Sequence, residues 1–206
     1  MEKDMGNVKI REAVLEDTEA ILDIYRYYVE NTAITFEYDV PPIEEFRERI
    51  SNTKKKYPYL VIVDEEKIMG YAYAGAFGVR AAYAWSAEIS IYIAQNVRKC
   101  GYGRKLYEAL EHELARMGIL NLYACIAYPI ENDKYLTKNS AEFHAYLGFK
   151  KVGLFEKCGY KFGNWYDLIY MEKDIGEYTQ KPKEVIDFSI MMKSCFPVVS
   201  QNSIEC

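Results

Sequence analysis

Histidine is the scarcest chemistry-bearing residue in this chain, with only two, His112 and His144, among 206 residues. A histidine-rich metal site is thereby excluded. The five cysteines (Cys100, Cys125, Cys158, Cys195 and Cys206) are odd in number, scattered, and form no C-x-x-C pair. They read as reduced thiols of a cytoplasmic protein rather than as a disulfide or zinc framework, and no metal is expected. No apolar run approaches the roughly 18–20 residues that span a bilayer, so no membrane partner is expected. The opening stretch MEKDMGNVKIRE is too polar for a secretory signal. Basic residues are in deficit too. There are 26 Lys and Arg against 31 Asp and Glu, a net charge of −5. Nucleic acid as a main partner normally requires a basic face, so that class is disfavoured.

What is present is an ordinary globular composition, 50% hydrophobic and 28% charged, long enough for one domain with a full core and an appendage. Twenty tyrosines are the conspicuous excess. They imply a core or cleft lined by rings that also carry a hydroxyl.

Periodicity orders the chain. Residues 8–11 form a short strand candidate; Asp17 then offers an N-cap for a helix carrying Ile21, Ile24, Tyr25 and Tyr28. Pro41 and Pro42 open a second helix with Ile43, Phe46 and Ile50 on one stripe. Residues 59–64 and 67–77 read as a hairpin turning at Glu65-Glu66. Over residues 88–93 the alternation is strict, with Ile89, Ile91 and Ile93 on one side and Glu88, Ser90 and Tyr92 on the other. Residues 102–117 are the clearest helix, with Leu106, Leu110, Leu114 and Met117 in one stripe and Gly118 as its stop. His112 falls opposite that stripe and reads as a surface residue. An apolar strand follows at 121–127, then a polar connection over 128–138 and a short helix capped by Asn139 or Ser140 and ending at Gly148. Two strands around Gly159 and Gly163 close the domain. This is a mixed α/β domain over residues 8–173 with one strand–helix–strand crossover at 88–127. Residues 174–206 read as a C-terminal extension, whose apolar patches at 190–192 and 196–199 suit docking on the body or a partner subunit.

The crossover carries an R-x-x-G-x-G loop, Arg98-Lys99-Cys100-Gly101-Tyr102-Gly103. Free N–H groups of a helix's first turn and the helix dipole together favour an anion, and the glycines let a polyphosphate approach the backbone. Arg98, Lys99, Arg104 and Lys105 reverse the sign of an otherwise acidic chain locally. The P-loop pattern is not met, and the dinucleotide fingerprint fails because Leu106 stands where its third glycine belongs. Alone, this loop would read sooner as a tight turn with a solvated basic face.

Its surroundings make it specific. The loop after a strand and before a long helix is similar to the acetyl-CoA motif of GNAT-type N-acetyltransferases. Phe77-x-x-Arg80-x-x-Tyr83-x-Trp85-x-x-Glu88-x-x-Ile91-Tyr92-Ile93 resembles their phosphinothricin and methionine sulfoximine acetyltransferase branch. So do Ser140-x-x-x-His144-x-x-Leu147-Gly148-Phe149 and Lys161-x-Gly163-x-Trp165-x-Asp167. The resemblance implies the acyl-CoA N-acyltransferase fold, a mostly antiparallel sheet of about seven strands flanked by helices. It implies acetyl-CoA as co-substrate, a small amine acceptor and a homodimer. Ile91, Tyr92 and Ile93 would lie along the pantetheine arm, with Arg98, Lys99, Cys100, Gly101, Tyr102, Gly103 and Arg104 around the pyrophosphate.

The chemistry needs a proton removed from an ammonium, a polarised carbonyl and a stabilised thiolate, the last an easy task for a thiol of pKa near 8.5. Glu88, on the polar face of its strand, is the candidate general base, and the resemblance places a catalytic glutamate there. A strand-end carboxylate paired with a lysine is the bland alternative. His144 is the candidate proton carrier on the thiolate side, against a histidine that merely packs its helix. Arg80 and Tyr83 match an R-x-A-Y element that resembles a carboxylate-binding site. Phe36 and Trp165 are candidate walls of the acceptor pocket. The resemblance departs at 129–140, a longer and rearranged stretch bordering the acceptor cleft, which leaves Asn139 as the candidate for the asparagine that helps hold the cofactor arm. The other readings of the chain are the same chemistry on a polyamine, aminoglycoside or protein N-terminus, and a non-catalytic acyl-CoA-binding module.

Overall fold

A computed structural model of the protein describes residues 8–97 and 100–195. Strand β1 (Lys9–Glu12) leads to helices α1 (Thr18–Asn31) and α2 (Ile43–Lys54). Strands β2 (Tyr59–Asp64), β3 (Lys67–Ala76) and β4 (Ser86–Ile93) follow, then α3 (Tyr102–Met117) and β5 (Asn121–Tyr128). Helix α4 (Asn139–Tyr146), β6 (Lys150–Lys161), β7 (Asn164–Asp174) and α5 (Phe188–Cys195) complete the order. The sheet order is β1-β2-β3-β4-β5-β7-β6. Every neighbouring pair is antiparallel except β4 with β5. The expected seven-stranded, mostly antiparallel acyltransferase sheet is what the chain forms.

The alternation of β4 divides the core. Ile89 packs with Leu106, Leu110 and Leu114 of α3 on one face, joined by Ile91 and Ile93. On the other face lie α1 and α2, and Tyr92 turns that way. Seven of the twenty tyrosines gather there: Tyr59 stacks on Tyr73 at 4.9 Å, Tyr71 on Tyr92 at 5.2 Å, and Tyr25 meets Tyr92 edge-on. Such contacts add ring–ring attraction to burial. Burial holds the Tyr59, Tyr71 and Tyr92 hydroxyls well above the usual phenol range.

Three local expectations need correction. Asp17 stands at the N-cap position of α1 but its carboxylate makes no capping bond; it accepts from the Val14 N–H and pairs with Arg11, closing a turn that precedes the helix. Neither Asn139 nor Ser140 caps α4: Lys138 holds the cap position, with no side-chain cap bond, and Asn139 is the first helical residue. Gly159 lies inside β6, and the hairpin turns instead at Phe162-Gly163, both with positive φ as a tight two-residue turn demands.

The extension folds back as a strap. The Trp85 indole donates to the Lys183 carbonyl at 2.7 Å, Ile186 N–H to Met117 O at 2.9 Å, and Phe188 N–H to Lys56 O at 2.8 Å. Phe188 and Met191 are buried against the α3 core, whereas Ile190 is exposed. The patch expected at 196–199 lies outside the described residues. Phe188 is only 2% exposed. Phe188→Ala should therefore destabilise the protein by about 3–5 kcal/mol, measured by denaturant unfolding; an unchanged midpoint would show that the strap is not docked.

Candidate active site

The parallel pairing of β4 with β5 covers only Ser86–Asn121, Ala87–Leu122 and Glu88–Tyr123. Beyond it β4 stays with β3, β5 stays with β7, and a gap opens between them. Residues lining that cleft include Ser90, Ile91 and Tyr92 from β4, Cys125 from β5, His144 from α4 and Ile34 from the α1–α2 loop. The Tyr28 hydroxyl bonds both the carbonyl and the N–H of Ile93, at 2.6 and 3.2 Å. The backbone groups of Ile93 therefore point away from β3. By strand alternation those of Ile91, two residues earlier, point the same way, into the gap. Ile91 thus presents a peptide edge to anything extended in the cleft, Ile93 is engaged by Tyr28, and Tyr92 pairs with Tyr71.

Glu88 stands where the strands part. It is half-buried, and the Tyr170 hydroxyl donates to its Oε2 at 3.3 Å. Burial raises its pKa above the ordinary carboxylate value, an effect the Tyr170 bond partly offsets. Glu88 makes no salt bridge among the described residues, so the lysine-paired reading of this carboxylate is not what the structure forms. Cys125 pairs across β5 and β7 with Tyr170 and opens on the same face. Desolvation, with Glu88 nearby, pushes its thiol up to about 11. It is therefore a thiol, not a thiolate, at neutral pH.

His144 is 4% exposed. Its Nδ1 lies 2.7 Å from the Ser140 carbonyl, which can only accept, so Nδ1 carries the proton. Nε2 then accepts the Tyr107 hydroxyl at 2.5 Å. Burial lowers the His144 pKa, against a smaller opposing effect of the Ser140 bond. The ring is a neutral imidazole wedged between α3 and the cleft.

At the other end of β4, Gly101 takes a left-handed φ of 81° ahead of α3, with open space where a Cβ would stand. The first intrahelical bond runs from Lys105 N–H to Gly101 O, so the N–H groups of Tyr102, Gly103 and Arg104 precede it at the positive end of the helix. This is a fit for a pyrophosphate. Gly103 serves a different need from the one expected: a Cβ there would press on Phe143 of α4, at 3.2 Å. The Tyr102 side chain is buried and bonded to Asp64, so only its backbone faces an anion. Arg104 pairs with Glu108 and is exposed, as is Cys100. Arg98 and Lys99 lie outside the described residues.

The acceptor candidates are less closely gathered. Phe77 stacks on Tyr123 at 4.0 Å and meets both Tyr83 and Tyr170 edge-on, which brings the Phe77–Tyr83 loop to the Glu88 side. Arg80 is exposed on that loop. Phe36 stacks on Tyr166 beside Gly159. Trp165 is 56% exposed and leans on Tyr160; by alternation along β7 it faces opposite to Tyr170. Asn139 is exposed. The 129–140 stretch is well organised: Asp133 accepts from the N–H groups of Tyr135 and Leu136 and from the Tyr166 hydroxyl, and Leu136 is buried. Tyr107, Tyr170, Cys125 and Ile34 escaped the sequence reading, because each reaches the site through strand register or helix packing rather than through a local pattern.

A sheet that parts beside an anion-receptive helix terminus is built for a long thioester with a pyrophosphate handle, the substrate of acyl-coenzyme A transferases. The comparisons agree. An acetyltransferase (GNAT) domain model matches residues 10–170. The phosphinothricin N-acetyltransferase of Streptomyces viridochromogenes is 30% identical over 86% of this chain and 93% of that protein. The L-methionine sulfoximine/L-methionine sulfone acetyltransferase of Pseudomonas paraeruginosa is 28% identical over 85% and 99%. A GNAT superfamily phosphinothricin acetyltransferase from Sinorhizobium meliloti, solved with AcCoA, superposes with a TM-score of 0.78 at 35% identity, over 86% of this chain and 94% of that one. The chain belongs to the GNAT acetyltransferases, and acetyl-CoA is its acyl donor.

Because the unfolded chain protonates a histidine near pH 6.5 and the folded one resists doing so, His144 costs stability as pH falls through that value. Tyr107→Phe removes the donor to Nε2 and should cost about 1–3 kcal/mol for the unsatisfied nitrogen. Nitrogen-15 NMR of wild-type protein at pH 7 should show the neutral Nδ1–H tautomer; an imidazolium signal there would contradict the assignment.

Proposed function

We propose that the protein transfers an acetyl group from acetyl-CoA to the primary amine of a small amino-acid-like acceptor, by direct attack with Glu88 as general base. The observation that carries this reading is the Glu88 carboxylate, half-buried where the strands part and raised in pKa, with no ion-pair partner among the described residues. Relatives named for phosphinothricin and for methionine sulfoximine or sulfone support the acceptor class.

When bound, acetyl-CoA supplies an activated acyl carbonyl. The protein's own part begins at Glu88, whose Oε atoms take a proton from the acceptor ammonium. A carboxylate of raised pKa is a stronger base once ionised. Backbone N–H of the β4 edge at Ile91 is suited to polarise a carbonyl lying against it. His144 is assigned to the leaving-group side. With Nδ1–H committed to Ser140, it can donate only after Nε2 has gained a proton, and the acceptor amine has protons to lose. Two leave the ammonium nitrogen on acylation; one ends on sulfur and the other in solvent. Cys125, kept as a thiol, does not compete with the amine for the acyl group.

Arg80 is assigned to the acceptor carboxylate, with Tyr83 and Phe36 beside it and Trp165 at the outer rim. On the donor side, the pantetheine arm is assigned to Ile91, Tyr92 and Ile93, with Asn139 beside it. The α3 terminus and the basic loop before it are assigned to the pyrophosphate. We assign the protein to the cytoplasm and to a homodimer, with residues 8–173 as the catalytic domain.

Glu88→Gln should lower kcat by about 10²–10⁴, the scale of a lost general base. Wild-type kcat/KM for methionine sulfone should rise with pH through an apparent pKa above the ordinary glutamate value, and Glu88→Gln should lose that limb. An unchanged rate removes Glu88 from the role. Arg80→Ala should raise the acceptor KM by roughly tenfold or more, as expected for a charge-assisted carboxylate bond worth about 1.5–3 kcal/mol. Polyamine turnover that survived or rose in Arg80→Ala would point to a cationic acceptor instead.

A further inference from the structure

Three consecutive residues at the end of β6 grip one loop. Between α1 and α2 the chain passes from Thr32 to Tyr38 over the sheet edge. Gly159 lets it come close: a Cβ there would lie 2.3 Å from the Phe36 ring. The Tyr160 carbonyl accepts from the Tyr38 hydroxyl. Lys161, whose residue is 2% exposed, donates to the carbonyls of Val29 at 2.8 Å and of Thr32 and Thr35, each at 2.9 Å.

Those bonds use all three protons of the ammonium. No carboxylate lies within salt-bridge distance of it among the described residues; Glu37 is the acidic group that acts on it, and its Nζ lies 5.0 Å from the centre of the Phe162 ring. Burying an unpaired charge is costly, and a residue that only filled space would do better as a methionine or leucine. What the ammonium supplies is direction. Val29 O is among the last carbonyls of α1, at the negative end of its dipole, and Thr32 O and Thr35 O belong to the loop. One donor therefore ties a helix end and two turns of loop to the sheet. The loop in turn shapes the cleft. Its Ile34 lines the cavity with Ser90, Tyr92 and His144, and its Phe36 packs on Tyr166.

We propose that Lys161 is a positioning residue for acceptor recognition. It fixes the Thr32–Tyr38 loop, and hence the acceptor wall of the cleft, without touching the substrate. The kinetic part rests on the acceptor reading given above; the structural part does not. In Lys161→Met, hydrogen exchange should quicken in the peptide spanning residues 32–38 while β4 and α3 stay protected. The KM for methionine sulfone should rise about ten- to a hundredfold, the scale of a group displaced by an ångström. The KM for acetyl-CoA should change by less than about twofold, since uniform loss of binding on one substrate leaves the other untouched. Unchanged exchange at 32–38 overturns the proposal. So does an equal rise of both KM values with protection lost throughout, which marks a residue that only holds the fold. If wild-type protein acetylates neither methionine sulfone nor phosphinothricin, the acceptor reading fails, and the exchange data alone decide for or against the role of Lys161. If Lys161→Met does not fold, Gly159→Ala, which pushes Phe36 outward and leaves the ammonium in place, carries the same two readouts.

Discussion

Everything at the site depends on where β4 and β5 stop pairing. β4 is held by β3 from Ala87 to Ile93, and β5 by β7 from Asn121 to Tyr128. Each strand follows its outer partner's twist, and the two share a register only through Glu88 and Tyr123. Had the pairing continued, β5 would have consumed the peptide edge of Ile91, and no cleft would lie below the N-terminus of α3. The divergence is stabilised from both sides. Tyr28 satisfies the Ile93 backbone that β5 has abandoned, and α4 sets His144 into the wedge against Tyr107.

The same divergence sets the electrostatics. Glu88, Cys125 and Tyr170 meet on one face because the antiparallel register of β5 and β7 sets Tyr170 opposite Cys125, next to the last paired residues of β4. Desolvation pushes all three pKa values upward. For the carboxylate this yields a stronger base; for the thiol and the phenol it keeps the proton in place. In the role proposed for Glu88, a cleft that strengthens its base while silencing a neighbouring nucleophile would favour attack by the amine over acylation of the protein.

The elements that define the split were legible because they are periodic. The 3.6-residue stripe gave α3 to the residue, and strict alternation gave the two faces of β4. The contacts that tune the site left no such trace. Glu88 and Tyr170 are 82 positions apart, and their meeting depends on the β5–β7 register, which no local pattern encodes. Tyr107 sits beside Leu106 but outside the stripe read from the sequence, and no local pattern links its hydroxyl to His144. Asp17 and Asn139 misled for a related reason: short polar side chains near a helix start have several backbone and side-chain partners within reach. Asp17 found Val14 and Arg11 instead of the helix. Arg80 was read from resemblance, and Phe36 and Trp165 as candidate walls; Arg80 is exposed on its loop, Phe36 packs on Tyr166, and Trp165 faces opposite to Tyr170.

A cleft that opens at one end needs its other end fixed, and this explains where the C-terminal strap is attached. The Trp85 carbonyl accepts from the N–H groups of Leu120 and Asn121 at 2.9 and 3.2 Å, tying the start of β4 to the start of β5. Its indole reaches Lys183, Ile175 N–H bonds Leu120 O, and Ile186 N–H bonds Met117 O. These bonds gather at the paired end of the split, where Trp85 stands three residues before Glu88. Residues past the family match at 170 therefore reinforce the point about which the two half-sheets diverge. The geometry that sets Glu88 against the cleft is held by the strap as well as by the sheet, while the mouth of the cleft is shaped separately, by the loop that Lys161 holds.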